Sequence, residues 1–176
     1  NLESYRLIEE FMILANTVVA NLLITKKTNA IFRNHEKPKK EKVYELKTLL
    51  KEYNLNSLFS FNSQDDFNQA ITMSKDLNYN FLNDSLVKCQ SKAFYHNLNK
   101  GHFGLALKNY THFTSPIRRY SNLVVHRSLL NLISNKKNNF IDSDLSEHLT
   151  FQEKKSDSIE RSLLEKACSI FLLKLK

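Results

Sequence analysis

The chain has 176 residues, of which 41% are hydrophobic, and this length and apolar content suit one globular domain. Its 26 Lys and Arg residues outnumber 18 Asp and Glu, so the formal net charge is +8, which favours an anionic partner. No run of ~20 apolar residues and no basic segment before an apolar core stands out. We therefore expect no membrane partner and a cytoplasmic location.

Helical spacing predicts a first amphipathic helix over residues 7–23. Its predicted core stripe consists of Ile8, Phe11, Ala15, Val18 and Leu22. A lysine-rich region follows between Lys26 and Lys51, with glutamates interleaved. That region favours either electrostatic steering of RNA or a solvated helix face carrying ion pairs, and the sequence does not choose between them.

Three further helices are predicted before residue 90. The second begins near Pro38, and its buried side consists of Val43, Leu46, Leu49, Leu50 and Tyr53. Ser63 and Asp66 have the spacing of a helix start for the third. Its apolar residues are Phe67, Ala70, Ile71 and Leu77. A short fourth helix is predicted over residues 81–87.

Two strands are predicted next, over residues 92–96 and 102–111, joined by a turn at residues 97–101. Thr114, Ser115 and Pro116 then predict a helix start, with a helix running to about residue 133. Arg118 and Arg119 would lie in its first turn, where free backbone N–H groups favour a phosphate. The alternative interpretation is a solvated, structural arginine pair.

A last long helix is predicted to begin where Thr150 and Glu153 have capping-box spacing. Its predicted core side consists of Ile159, Leu163, Ala167, Ile170 and Phe171. The resulting fold class is α+β, mostly helical, with helices packed on a small antiparallel sheet or hairpin. Without Gly/Pro-rich linkers, the chain reads as a single domain segment.

Three strings carry a family resemblance: RLIEEFMILANTVVA at residues 6–20, IFRNHEKP at 31–38, and GHFGLALKNYTHFTSPIRRYSNLVVHR at 101–127. Together and in this order they resemble the catalytic domain of the ribonuclease II and ribonuclease R family of 3′-to-5′ exoribonucleases. The resemblance implies that residues 1–176 form the C-terminal part of the RNB catalytic domain. The cold-shock and S1 modules that flank this domain in the family are not expected here.

The resemblance also implies roles for individual residues. It makes Arg118 the arginine that contacts the phosphate near the scissile bond, with Arg119 beside it. A glutamate of the IEE segment, Glu9 or Glu10, would bond the sugar hydroxyls, although glutamates early in a helix also suit its dipole alone. Glu160 would lie near the catalytic end of the RNA channel, or instead form a surface charge pair with Arg161.

Tyr120 and His126 are weaker RNA-binding candidates, because a tyrosine and a histidine at helical spacing are more often satisfied core residues. Asn122 stands where the family usually has an aspartate. Because asparagine lacks the negative charge of aspartate, Arg118 or Arg119 could be held less firmly here, or the difference could have no effect.

The family's hydrolysis depends on Mg²⁺ held by closely spaced aspartates that lie before the IEE helix, and this chain has no matching motif. The pairs Asp65–Asp66 and Asp142–Asp144 lack the pattern. We therefore expect no metal ligands in this chain, and we expect the chain to be inactive alone. In the intact enzyme, the expected partner is single-stranded RNA bound at its 3′ end. The alternative is a non-catalytic RNA-binding or regulatory module. Separately, apolar faces that the truncated domain leaves uncovered could pair two copies of the chain in an artificial dimer.

Overall fold

A computed structural model describes residues 2–53, 59–76, 80–136 and 143–174 of the chain. Within them, strands β1 (Phe32–Asn34) and β2 (Phe94–His96) pair antiparallel, with Arg33 opposite Tyr95. The helices are α1 (Leu2–Thr25), α2 (Lys40–Glu52), α3 (Gln64–Asp76), α4 (Asn80–Cys89), α5 (Tyr120–Ile133) and α6 (Ser143–Lys174). The predicted α+β class, with helices on a small antiparallel sheet, is confirmed.

The core lies in three clusters, and two of them include residues of the small sheet. Helices α2, α3 and α4 bury one cluster among themselves, centred on Phe67 and Leu82. A second cluster joins α1, β1 and α5 through Leu23, Phe32 and Val125. In the third, Ile31, Tyr95, Val124 and Leu149 connect the sheet to α5 and α6. The sheet is therefore the common support for α5 and α6.

Helices α2, α3 and α4 agree with the prediction, because their apolar faces bury one another. Leu46 and Leu50 are buried, whereas Tyr53 remains 41% exposed. At the head of α3 the Ser63 hydroxyl oxygen accepts the backbone N–H of Asp66, as the spacing predicted. Leu77 lies outside the described residues.

The predicted core stripe of α1 is wrong. Ile8, Phe11, Val18 and Leu22 are 57, 61, 55 and 39% exposed, and Ala15 is partly buried. The buried face consists of Asn16, Val19, Ala20 and Leu23. Apolar residues nearly surround the C-terminal half of this helix, so periodicity alone did not show which face meets α5 and β1.

By length and composition, α1 is also apolar enough to cross a membrane, contrary to the expectation from sequence. This test is passed equally by core helices of soluble proteins. Four residues of α1 are buried by the domain itself, and the Asn16 side chain bonds to Tyr110, Phe113 and Thr114. These contacts tie the C-terminal half of α1 to the domain, whereas residues 2–11 of the same helix are exposed.

The predicted hairpin between residues 92–96 and 102–111 is wrong in its second strand. β2 instead pairs with β1, and Phe103–Leu105 form a short 3-10 turn. The backbone N–H of Phe103 bonds the His35 carbonyl, and the N–H of His102 bonds the Leu107 carbonyl. Residues 102–107 thus fold back on themselves, and the alternation of Phe103, Leu105 and Leu107 did not signal an extended strand.

Helix α6 begins at Ser143, earlier than predicted, and Thr150 lies inside it. The Thr150 hydroxyl donates to the Ser146 carbonyl and accepts the backbone N–H of Tyr95, so it ties α6 to β2 and caps nothing. The predicted core side is wrong, since all five of its residues are exposed: Ile159, Leu163, Ala167, Ile170 and Phe171. Only the first half of α6 has a partner surface among the described residues.

Candidate nucleic-acid site

The arginine pair precedes α5 and does not lie within its first turn, as the sequence had suggested. The helix begins at Tyr120, and Arg119 is its extended N-cap residue with φ −134° and ψ 111°. No side chain caps the helix, so Thr114 and Ser115 do not play their predicted role. Arg118, in the preceding turn, is exposed, and Arg119 is partly buried.

The segment leading to the arginines is held by one residue of α1. Asn16, which is 3% exposed, accepts the backbone N–H of Phe113 at 2.9 Å and of Thr114 at 3.2 Å through Oδ1. Its Nδ2 donates to the Tyr110 hydroxyl at 3.0 Å. The position of the turn that carries Arg118 is therefore set by a buried amide of α1.

Arg118 and Arg119 open onto a cleft of about 380 Å³ between the start of α5 and the middle of α6. Tyr120 and Glu160 line the same cleft, so four of the seven predicted site residues meet there. The remaining lining residues are Tyr95, Ser121, Leu149, Gln152, Glu153, Ser156 and Asp157. The cleft brings cations, carboxylates and an exposed aromatic ring together.

A residue that the sequence did not single out fixes one wall of this cleft. Arg33 of β1 forms an ion pair with Glu153 of α6, and its guanidinium lies 4.6 Å from the centre of the Tyr95 ring. Both partners are largely buried, so this pair ties the sheet to α6 more firmly than an exposed pair would. Arg33 lies within the IFRNHEKP string, but nothing in that string indicates a partner 120 residues later.

His112 is a neutral imidazole close to the arginines. Its Nδ1 is 2.9 Å from the Tyr95 hydroxyl. Burial, followed by the positive charges of Arg119 and Arg33, lowers the pKa of His112 to about 3. Burial also raises the pKa of Tyr95, so the phenol stays protonated and can donate to the imidazole. His112 therefore adds no charge at neutral pH beside a cleft in which two arginines face three carboxylates.

The other three predicted residues do not line this cleft. Glu9 and Glu10 are exposed on the N-terminal half of α1. The Nε2 of His126 lies 2.8 Å from the Phe113 carbonyl, and its ring stacks on that of Phe113 at 4.2 Å. His126 thus has the satisfied packing position that was the alternative to RNA contact.

Asn122 occupies a buried position at the start of α5, 1% exposed. Its Oδ1 accepts from the Ser121 hydroxyl at 3.3 Å, and its Nδ2 has no partner among the described residues. A buried amide N–H left without an acceptor costs about 1–3 kcal/mol. The Asn122 amide thus lies buried close to Arg119 with a donor that no described protein group accepts.

In the part of the chain that the structure describes, no three His, Cys, Asp or Glu side chains gather closely enough to hold a metal ion. Asp66 instead accepts from the Ser60 hydroxyl and from the backbone N–H of Asn62. Asp142 lies outside the described residues. The carboxylates of the cleft, one of them already paired with Arg33, do not by themselves fit a Mg²⁺ ion.

Residues 1–135 match the RNB domain. Ribonuclease R of Buchnera aphidicola subsp. Schizaphis graminum is 33% identical over 173 residues, which cover 93% of this chain and 24% of that protein. The chain thus spans about a quarter of the length of this curated relative.

Solved structures give the same picture. The apo form of Mycoplasma genitalium RNase R superposes with a TM-score of 0.77 at 28% identity, covering 90% of this chain and 27% of that one. The same protein in complex with ribose methylated single-stranded RNA gives 0.71 at 29% identity, over 88% and 26%. Yeast Ssd1, described as a pseudonuclease, gives 0.71 at 28% identity, over 84% and 19%.

Proposed function

The chain belongs to the RNB-domain family, and on that premise we propose that it forms part of a cytoplasmic 3′-to-5′ exoribonuclease that releases nucleoside 5′-monophosphates from single-stranded RNA. The observation that carries this proposal is the shared cleft of Arg118, Arg119, Tyr120 and Glu160. The RNA complex of the Mycoplasma genitalium protein supports RNA as the ligand.

Arg118 is the phosphate-contacting residue in this proposal. Its guanidinium is exposed at the cleft, and among the described residues neither of the two ion pairs involves it. A guanidinium grips two phosphate oxygens at once and stays charged at any relevant pH. It would therefore hold the scissile phosphate and stabilise the charge that builds up on it during hydrolysis.

Tyr120 and Glu160 complete the site from the two helices that flank the arginines. The Tyr120 ring is 50% exposed in the cleft and can stack on an unpaired base, a contact worth about 1–3 kcal/mol. Glu160 faces the same space from α6 and can accept a proton or a hydrogen bond from sugar or water. These roles need an unpaired strand, because a base within a duplex offers no free face.

The remaining parts of the reaction belong to segments outside this cleft. The described carboxylates do not fit Mg²⁺, and the sequence has no match to the aspartate motif that the family resemblance implies, so in this proposal other aspartates of the intact protein would hold the metal. Glu9 or Glu10 would contact the ribose from α1. The chain alone should then bind RNA weakly and release no nucleotide.

The test is release of nucleoside monophosphates from 3′-labelled single-stranded RNA by the protein that carries these residues in its full length. Arg118→Ala should lower kcat by about 10²–10³-fold, because one preorganised charge contact to the reacting phosphate is lost. Arg118→Lys should restore only part of the rate, since an ammonium cannot grip two oxygens.

Lys75→Ala, which removes an exposed cation from α3, is the matched control and should retain full activity. Equal rates for Arg118→Ala and this control would contradict the proposal. The 176-residue chain tested alone should be inactive, whereas arginine-dependent activity would mean that its own carboxylates hold the metal.

A non-catalytic RNA-binding module is the second candidate, and the similarity to yeast Ssd1, a pseudonuclease, favours it. Both candidates predict RNA binding that depends on Arg118. They differ in hydrolysis by the full-length protein with Mg²⁺, which the module would lack however tightly it bound.

A further inference from the structure

A second cleft, of about 630 Å³, lies beside β1 and is lined by none of the residues of the arginine cleft. Three lysines line it, Lys37, Lys100 and Lys108, and the one carboxylate in its wall is Glu36. Glu36 bonds the ammonium of Lys100 at 3.1 Å, so the cleft keeps a net positive charge. All three lysines are exposed and reach solvent.

The floor of this cleft is rigid. Asn99 donates to the Lys108 carbonyl at 2.9 Å and accepts the backbone N–H of Gly101 at 3.3 Å. The backbone N–H of Lys100 bonds the buried Asn34 side chain at 2.8 Å. These bonds fix the backbone on which two of the lysines stand, so little backbone freedom is lost when a ligand binds.

His102 supplies a neutral donor to the same cleft. Its Nδ1 accepts the backbone N–H of Leu105 at 3.2 Å, so the ring proton of the neutral imidazole lies on Nε2. That nitrogen has no partner among the described residues. An N–H donor in a cleft that is also lined by three lysines suits a phosphodiester oxygen.

A ladder of aromatic rings connects the two clefts. His102 lies 5.2 Å from Tyr110, Tyr110 lies 5.8 Å from His112, and His112 lies 5.7 Å from Tyr95, which lines the arginine cleft. Three ring contacts therefore separate them. Tyr95 and Tyr110 are 5% and 6% exposed, so this ladder runs inside the domain and joins the walls of the two clefts through its core.

We propose that the cleft of Lys37, Lys100, Lys108 and His102 binds the phosphate backbone of the RNA strand, on the 5′ side of the nucleotides held in the arginine cleft. This inference rests on the proposed function, because a strand whose 3′ end is at Arg118 must leave that cleft toward its 5′ end. The lysines contact phosphates without reading bases, so the site is indifferent to sequence.

The test compares equilibrium binding of two fluorescent oligo-uridylates to the full-length protein without Mg²⁺, a trinucleotide and a strand long enough to span both clefts. The double variant Lys100→Gln, Lys108→Gln should weaken binding of the long strand by about 10-fold and reduce the slope of log affinity against log salt by about 1.4. Binding of the trinucleotide should not change.

The matched control is the double variant Lys51→Gln, Lys75→Gln, which removes the same charge from exposed positions on α2 and α3. Equal losses for the two double variants, or an equal loss for both oligonucleotides, would overturn the proposal. So would lysine-dependent binding of uridine monophosphate as tight as that of the long strand, since the site would then be one for small free anions.

Failure of the proposed function gives a different result. The arginine cleft is not a nuclease site if Arg118→Ala binds the trinucleotide as tightly as wild-type protein and wild-type protein releases no monophosphates with Mg²⁺. A different result is that the trinucleotide binds normally and nucleoside monophosphates are released normally, while the Lys100 and Lys108 variant binds the long strand no more weakly than its control. That result would contradict only the proposal for the second cleft.

Discussion

His112 and His102 are two partly buried imidazoles that the fold keeps uncharged close to arginines. The pKa of His102 falls to about 4, first through burial and then through His35 and Arg33, and the pKa of His112 falls to about 3. Their ordinary value is 6.5. Neither imidazole therefore adds positive charge to the two clefts at neutral pH, and acid would charge them at a cost in stability.

The free energy of unfolding should therefore fall as the pH decreases. Both pKa values are lower in the folded state, so the unfolded chain binds more protons between pH 6.5 and 3, and the stability that is complete above pH 6.5 is lost as the pH falls toward 4 and 3. After allowance for partial solvent exposure, we expect a loss of about 2–4 kcal/mol between pH 7 and 4.5. Urea unfolding at the two pH values measures it.

His112→Gln should remove a large part of this pH dependence, because glutamine does not titrate. His148→Gln, at an exposed position of α6, is the control and should leave the dependence unchanged. An unchanged pH profile in the His112 variant would show that other groups cause the acid sensitivity.

Helix α1 positions the segment before the arginines through one side chain, that of Asn16. Asn16 bonds residues that lie 94 to 98 positions later in the chain and just before the arginine turn. These bonds hold the segment against α1 although α1 contributes nothing to the walls of the arginine cleft.

Asn16→Ala should reduce the free energy of unfolding by about 2–4 kcal/mol, because two backbone N–H groups and the Tyr110 hydroxyl lose their partner. Thermal or urea unfolding of the variant measures this. Asn21→Ala provides the control, since Asn21 is an exposed residue of the same helix that accepts one bond from Asn109. Its effect should stay within about 0.5 kcal/mol, and similar losses in both variants would contradict the role of Asn16.

What the sequence revealed differs from element to element. Helices α2 to α4 were predictable because each apolar stripe meets another stripe nearby in the chain. The stripes of α1 and α6 were misassigned, since periodicity shows that a face is apolar and not which partner covers it. Strand β1 is three residues long, too short for an alternation to show.

The candidate site was partly predictable for a related reason. The string at residues 101–127 pointed to Arg118, Arg119 and Tyr120, and the family resemblance also implied Glu160; all four meet in one cleft. The pair of Arg33 and Glu153 joins residues 120 positions apart, and no local pattern announces such a contact. The turn before α5 was misread because serine, threonine and proline favour a helix start without determining its exact residue.

Two apolar surfaces of the whole molecule lack a cover within the described chain. One lies on α1 and includes Leu7, Phe11 and Leu14, and the other follows the second half of α6. Contiguous apolar surface of this kind in a soluble protein marks a contact with further protein. In relatives, three quarters of the length lies outside the matched region.

The 176-residue chain alone should therefore self-associate as its concentration rises, which analytical ultracentrifugation measures. Leu163→Glu combined with Ile170→Glu should shift it toward the monomer by placing charges on the exposed face of α6. Ser158→Glu with Ser162→Glu adds the same charge at exposed polar positions and serves as the control. Equal behaviour of the two double variants would locate any association elsewhere.

The contact between Arg33 and Glu153 has a consequence for the timing of synthesis. It closes a loop of 120 residues, and pairings that distant in sequence form late in folding. A ribosome makes Arg118 well before it makes Glu153, so the nascent chain carries its arginines for a time without the wall that turns them into a cleft. Released chains that end before residue 153 should accordingly bind RNA more weakly than chains that include α6, because their arginines lack the wall that Glu153 belongs to.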